Sequence, residues 1–162
     1  MSTILRSAAM AAAILTAIAA PAAAQDENER EYLTDLREIN VFVDDLAADA
    51  EAAGLTRDGI EAAVEARLRE RRVPVGRSQL AGDLYVRVAT HRSTTGLYAY
   101  FARVSLQQLV TIEGNQERAF VDTWDLDSLG TVGEANLPQV QRVVLQIVDV
   151  FIDDYFSVND PR

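Results

Sequence analysis

The sequence predicts an α/β (α+β) fold, a two-layer sandwich in which a mostly antiparallel sheet of about four strands carries two helices on one face. Three observations lead there. A long period-two apolar run covers 97–112, and turn-rich segments at 91–96 and 113–117 mark hairpins on either side of it. Two stretches with helical apolar spacing, one beginning at Thr56 and one near Asn136, fall between and after the strands. Helices so placed can cover one face of an antiparallel sheet, in the order β-α-(β)-β-β-β-α.

Residues 1–24 have the three-part design of a cleavable signal peptide. Arg6 is the positive n-region, 8–20 the apolar stretch, and Ala22-Ala23-Ala24 the small-residue cleavage site before Gln25. Export is therefore expected, to the periplasm or the extracellular medium. The apolar stretch is shorter than the roughly 18–20 residues of a membrane span and rich in Ala, so no span is expected. With no cysteine in the chain, neither a lipid anchor nor a disulfide is available. The expected organisation is a signal at 1–24, a polar leader at 25–35, one globular domain at 36–158 and a short tail at 159–162. Loss of Arg6 with the signal leaves 14 arginines against 25 acidic residues, a charge of −11 that repels nucleic acid and anionic lipid.

In chain order, Ile39, Val41 and Val43 alternate with Asn40 and Phe42 as a first strand. A loop or short helical turn follows at 49–54. Thr56 is the N-cap of a helix with Asp58 at its positive end, and Ile60, Val64 and Leu68 recur every four residues. Val73-Pro74-Val75 stops it and starts an extended piece. A short strand over 84–89 is expected to pair in parallel with the Val41 strand through a crossover. On the long strand, Tyr98, Tyr100, Ala102, Val104, Leu106, Val110 and Ile112 form one face, interrupted by Gln108. The returning strand, 118–126, places Phe120, Asp122, Trp124 and Leu126 together, and a Gly-containing loop is expected over 127–136. Asn136 as N-cap and Pro138 in the first turn open a terminal helix whose wide stripe is Val140, Val144, Ile147, Val148, Phe151, Ile152 and Tyr155.

Absences limit the chemistry. One histidine and no cysteine exclude the usual zinc sites and every cysteine nucleophile, and neither a phosphate-binding Gly loop nor Gly-x-Ser-x-Gly is present. No cofactor, metal or catalytic residue is assigned. His91, Ser93 and Asp83 contain the residue types of a triad, but the first two read more simply as turn residues. Asp122, Asp125 and Asp127, like Asp44, Asp45 and Asp49, have the oxygen-rich composition of calcium sites without EF-hand spacing. Arg67, Arg69, Arg71, Arg72 and Arg77 form a basic run that could receive an acidic partner or an anionic ligand, but it reads more simply as a solvated helix end with dipole-compatible charge.

Two surfaces remain as candidate binding sites. Leu97, Ala99 and Phe101 lie opposite the tyrosine face, so a two-layer fold leaves them open to a homodimer or an envelope protein partner. Tyr98, Tyr100, Trp124 and Tyr155 are candidates for an aromatic-lined pocket between sheet and helices, which would suit a small-ligand carrier or hydrolase. The first surface favours a non-enzymatic, exported, protein-binding domain.

Overall fold

The computed structural model describes residues 27–78 and 81–159, so the expected signal at 1–24 and residues 160–162 lie outside the described residues. After a helical turn α1 (Glu27–Glu31) come β1 (Ile39–Val43), the short helix α2 (Ala48–Ala52) and α3 (Arg57–Glu70). Three long strands follow, β2 (Gly82–Arg92), β3 (Leu97–Thr111) and β4 (Arg118–Gly133). A 3-10 turn (Glu134–Gln139) then leads into α4 (Val140–Val158). The sheet order is β1-β2-β3-β4, with β1 parallel to β2 and the other pairs antiparallel. The two-layer α+β architecture is thus the one the sequence predicts.

One face of the sheet and one stripe of each helix form the core. Ile39, Val41 and Val43, then Leu84, Val86 and Val88, then Tyr98 to Leu106 at every second residue are buried, as period-two alternation requires. From the helix layer, Ile60, Val64 and Leu68 of α3 and Val144, Ile147, Val148, Phe151 and Ile152 of α4 fill the other side. Each such side chain contributes about 1.5–3 kcal/mol of transfer free energy. The Gly59 N–H donates to Thr56 Oγ1 at 3.2 Å, so the N-cap of α3 is as expected.

Several boundaries differ. β2 spans eleven residues instead of the six expected, and His91 lies within it. β4 continues to Gly133, so the loop expected from 127 is strand through most of its length. Its glycines suggest a break, but Gly130 is a position where only glycine fits: a Cβ there would lie 2.5 Å from the Tyr100 hydroxyl oxygen, whose ring covers the strand from across the ladder. Asn136 is not an N-cap of α4. It lies in the 3-10 turn, where its Oδ1 accepts from Gln139 Nε2 at 3.0 Å.

The segment before β1 is also more structured than its polarity suggests. Leu33 is fully buried, and the end of α4 holds the backbone around it. Asn159 Nδ2 donates to Leu33 O (2.8 Å), Tyr155 OH donates to Leu36 O (3.1 Å), and the Asp35 N–H donates to Asn159 Oδ1 (3.0 Å). Beneath this clasp, Asp154 of α4 accepts from the indole N–H of Trp124 at 3.0 Å and pairs with Arg30 of α1 at 2.9 Å. No helix among the described residues is long and apolar enough to cross a membrane.

Candidate functional site

Because α3 and α4 both cover the same sheet face, the opposite face is presented outward. Its residues are set by strand parity, with one local exception. At Leu106/Gln107 the β3–β4 ladder shifts register: Leu106 faces Trp124 but Gln107 faces Asp122, leaving Thr123 as the extra residue of a bulge. A one-residue insertion reverses the side-chain parity of everything beyond it. Asp122 and Phe120, expected on the buried face with Trp124, are therefore on the open face. Phe120 is 65% exposed.

The open face has three zones. Toward the β2–β3 hairpin is an apolar patch: Ala89, Phe101 and Leu129 stand in one cross-strand row, with Ala99 and Leu97 beside them. Leu97 is 49% and Leu129 76% exposed, and Phe101 is half-buried between its neighbours. The four-residue loop joining these strands is closed by Ser93 N–H to Leu97 O at 2.7 Å, with Gly96 at φ +80° where a side chain is disfavoured. Across the middle runs a belt of ion pairs. Arg103 bridges Asp122 (3.0 Å) and Asp125 (3.2 Å), and Arg87 pairs with Asp44 at 2.7 Å. The Asp44 carboxylate raises the affinity of the Arg87 guanidinium for its proton, chiefly through this hydrogen bond. Phe42 and Tyr85 stack beside the belt with ring centroids 5.2 Å apart. Burial, followed by the carboxylates of Asp83 and Asp44, raises the Tyr85 phenol above its ordinary pKa.

At the far end of the same face is a cleft of about 580 Å³ between the ends of β1, β3 and β4 and the segment preceding β2. Phe42, Leu109 and Phe120 supply apolar wall, Asn40 and Asp83 a polar side, and Arg77 and Arg118 positive charge.

The other expected groupings resolve differently. Leu97, Ala99 and Phe101 are together on the open face. Tyr98, Tyr100, Trp124 and Tyr155 are buried between the layers as core side chains, Trp124 edge-on to Phe151 at 5.0 Å. Burial first, then the negative charge of Asp49, raises the pKa of Tyr98. His91 and Asp83 stand at opposite ends of β2, eight residues and roughly 26 Å apart at about 3.3 Å per residue. Ser93 Oγ is engaged with Thr95 Oγ1 and the Leu97 N–H, so the three residues form no triad.

Asp122 and Asp125 are occupied by Arg103 and Asp44 by Arg87, and among the described residues no group of His, Cys, Asp or Glu is arranged to hold a metal. Most of the basic run is likewise neutralised. Arg67 pairs with Asp149, Arg71 with Asp153 and Arg69 with Glu65, which ties α3 to α4 at two of the three. Sequence reasoning missed Leu129, Phe120 and Arg118 as open-face residues, and it placed Arg77 in the basic run of the helix end and not in this cleft. The alternation of Leu129 and Thr131 with Ser128, Gly130 and Val132 is the signal that marks Leu129 as an outward strand residue.

No family model matches this chain, and no curated protein does. Among solved structures, a minor lipoprotein from Acinetobacter baumannii matches at 14% identity, over 73% of this chain and 87% of that one, with a TM-score of 0.31. At that level of likeness, fold and site rest on this chain's own residues.

Proposed function

We propose that this chain is a non-enzymatic, exported protein-binding module that docks through its open sheet face, with a second copy of itself as the occupant. The observation that carries the reading is the patch of Leu97, Phe101 and Leu129 on the face opposite both helices, its outermost side chain 76% exposed.

The dimensions support a stack of two such faces. With strands about 4.8 Å apart and about 3.3 Å rise per residue over the eleven residues of β2, the face measures on the order of 600–700 Å². A standard interface needs about 800 Å² per partner, which the hairpins at either end can supply. Two sheets stacked at about −30° would bury the patch as the inner layer of a four-layer assembly. The ion-pair belt is mostly neutralised within each copy, which lowers the desolvation cost of covering it. The signal expected at 1–24 supports the envelope as the compartment. The four aromatics on which the carrier or hydrolase reading depends are buried core residues.

Light scattering after size-exclusion chromatography tests this across a concentration series. A dimer is expected, with Leu129→Asp and Phe101→Asp raising its dissociation constant at least tenfold while retaining the native circular dichroism spectrum. Because both copies carry a net charge near −10, added salt is expected to tighten association. A monomer at every concentration, or a dimer indifferent to both substitutions, refutes the reading.

A further inference from the structure

The cleft at the β3–β4 hairpin end has a composition that neither the fold nor the proposed stacking requires. Its volume of about 580 Å³ falls within the roughly 300–1,000 Å³ of small-molecule sites. Three strands contribute one large apolar side chain each, Phe42 from β1, Leu109 from β3 and Phe120 from β4, and these are 43%, 42% and 65% exposed. Such side chains lose free energy in water that an apolar ligand would restore.

The charge is more telling. Among the described residues, eight of the thirteen arginines pair with a carboxylate, as expected in a chain with 25 acidic residues and 15 basic ones. Arg77 and Arg118 are among the five that do not, and both line this cleft, Arg77 also bordering Asp58, Glu61 and Glu65 of α3. Arg118 and Phe120 are two residues apart on the same face of β4, so a guanidinium and a ring point the same way from one strand. The acidic residue in the cleft, Asp83, is already engaged: Asn40 Nδ2 donates to its Oδ1 at 2.7 Å. Among the residues that line the cleft, two guanidiniums stand against one carboxylate.

We infer that this cleft binds a soluble amphiphilic anion, a single carboxylate on an apolar body, with Arg77 and Arg118 on the head and Phe42, Leu109 and Phe120 against the body. Guanidinium forks match a carboxylate bidentately, which a point charge does not. Leu109 is eight residues along β3 from Phe101, about 26 Å away, so the cleft shares no residue with the Leu97, Phe101 and Leu129 patch.

Isothermal titration of the full-length mature chain with decanoate, kept below its micellar concentration, tests the inference, with decanol as the uncharged control. Decanoate is expected to bind at least tenfold more tightly than decanol. The double variant Arg77→Gln/Arg118→Gln is expected to remove that preference, a loss of about 1.4 kcal/mol or more. Phe120→Ser is expected to weaken both probes. Equal binding of decanol, undiminished decanoate binding by the arginine variant, or no decanoate binding overturns the assignment. Co-sedimentation with phosphatidylglycerol vesicles separates the source: capture on vesicles without binding of free decanoate would mean a membrane headgroup surface and would also overturn it.

Discussion

Replacing Asp154 by Ala tests the buried junction that joins α1, β4 and α4. The carboxylate, whose side chain is 8% exposed, accepts from the indole N–H of Trp124 and faces the Arg30 guanidinium. Trp124 is itself 1% exposed, so its N–H has no water to turn to once the acceptor is gone. An unsatisfied buried donor costs about 1–3 kcal/mol. Arg30 is 42% exposed, and its pair with Asp154 contributes about 0–1 kcal/mol because solvent screens it. The expected loss is therefore about 1–4 kcal/mol, or roughly 3–20 °C in Tm for a domain of this size.

Asp154→Asn separates the two contributions. It keeps an acceptor for the indole and loses only the charge, so about half of the destabilisation or less is expected. Trp124→Phe removes the donor together with its need, and the cycle with Asp154→Ala should show a coupling of about 0.5–3 kcal/mol. Urea denaturation followed by far-ultraviolet circular dichroism measures all five proteins, the parent, the three single variants and the double variant, since the signal survives loss of the single tryptophan. If Asp154→Ala lies within about 0.5 kcal/mol of the parent, or Asp154→Asn costs as much as Asp154→Ala, the junction does not act as an indole acceptor.

Other expectations follow from single contacts. Gly130→Ala should destabilise by about 1–3 kcal/mol because its Cβ meets the Tyr100 ring, whereas Gly133→Ala, with nothing within 4 Å, should stay within about 0.5 kcal/mol; equal effects in thermal melts would dismiss the role assigned to Tyr100. For Tyr98 the neutral form is favoured by the fold, so its folded pKa exceeds the ordinary 10.0. The native state then keeps a proton that the unfolded chain has lost, and stability is level below pH 10 and falls as pH rises through the folded value. Tyr98→Phe should flatten that alkaline decline in denaturation midpoints; an unchanged pH profile would show that Tyr98 does not contribute to it.

The local patterns in the chain were sufficient for the sheet-and-helix plan. Alternation at Ile39, Val41 and Val43 and from Tyr98 to Leu106 specifies strands with one buried face, because side chains on a pleated strand alternate strictly. The four-residue recurrence of Ile60, Val64 and Leu68 and the broad stripe from Val140 to Tyr155 specify helices that bury one side. Helices placed between and after the strands imply a bare sheet face, and Leu97, Ala99 and Phe101 were identifiable on it.

What the sequence did not show depends on partners far along the chain. β4 continues through Gly130 by pairing with Tyr100 of β3, whose ring occupies the space that a Cβ would take. The parity of Phe120 and Asp122 is reversed by a bulge that exists only in the pairing of β3 with β4. Arg67 and Arg71 lose their character as a basic run because Asp149 and Asp153 reach them from 82 residues away. The cleft depends most on tertiary structure, since Phe42, Arg77, Leu109 and Arg118 share no period or motif. Periodicity is a property of neighbours in the chain and therefore determined the elements and their buried faces. Register, charge pairing and concavity are properties of neighbours in space, and only the folded structure decided them.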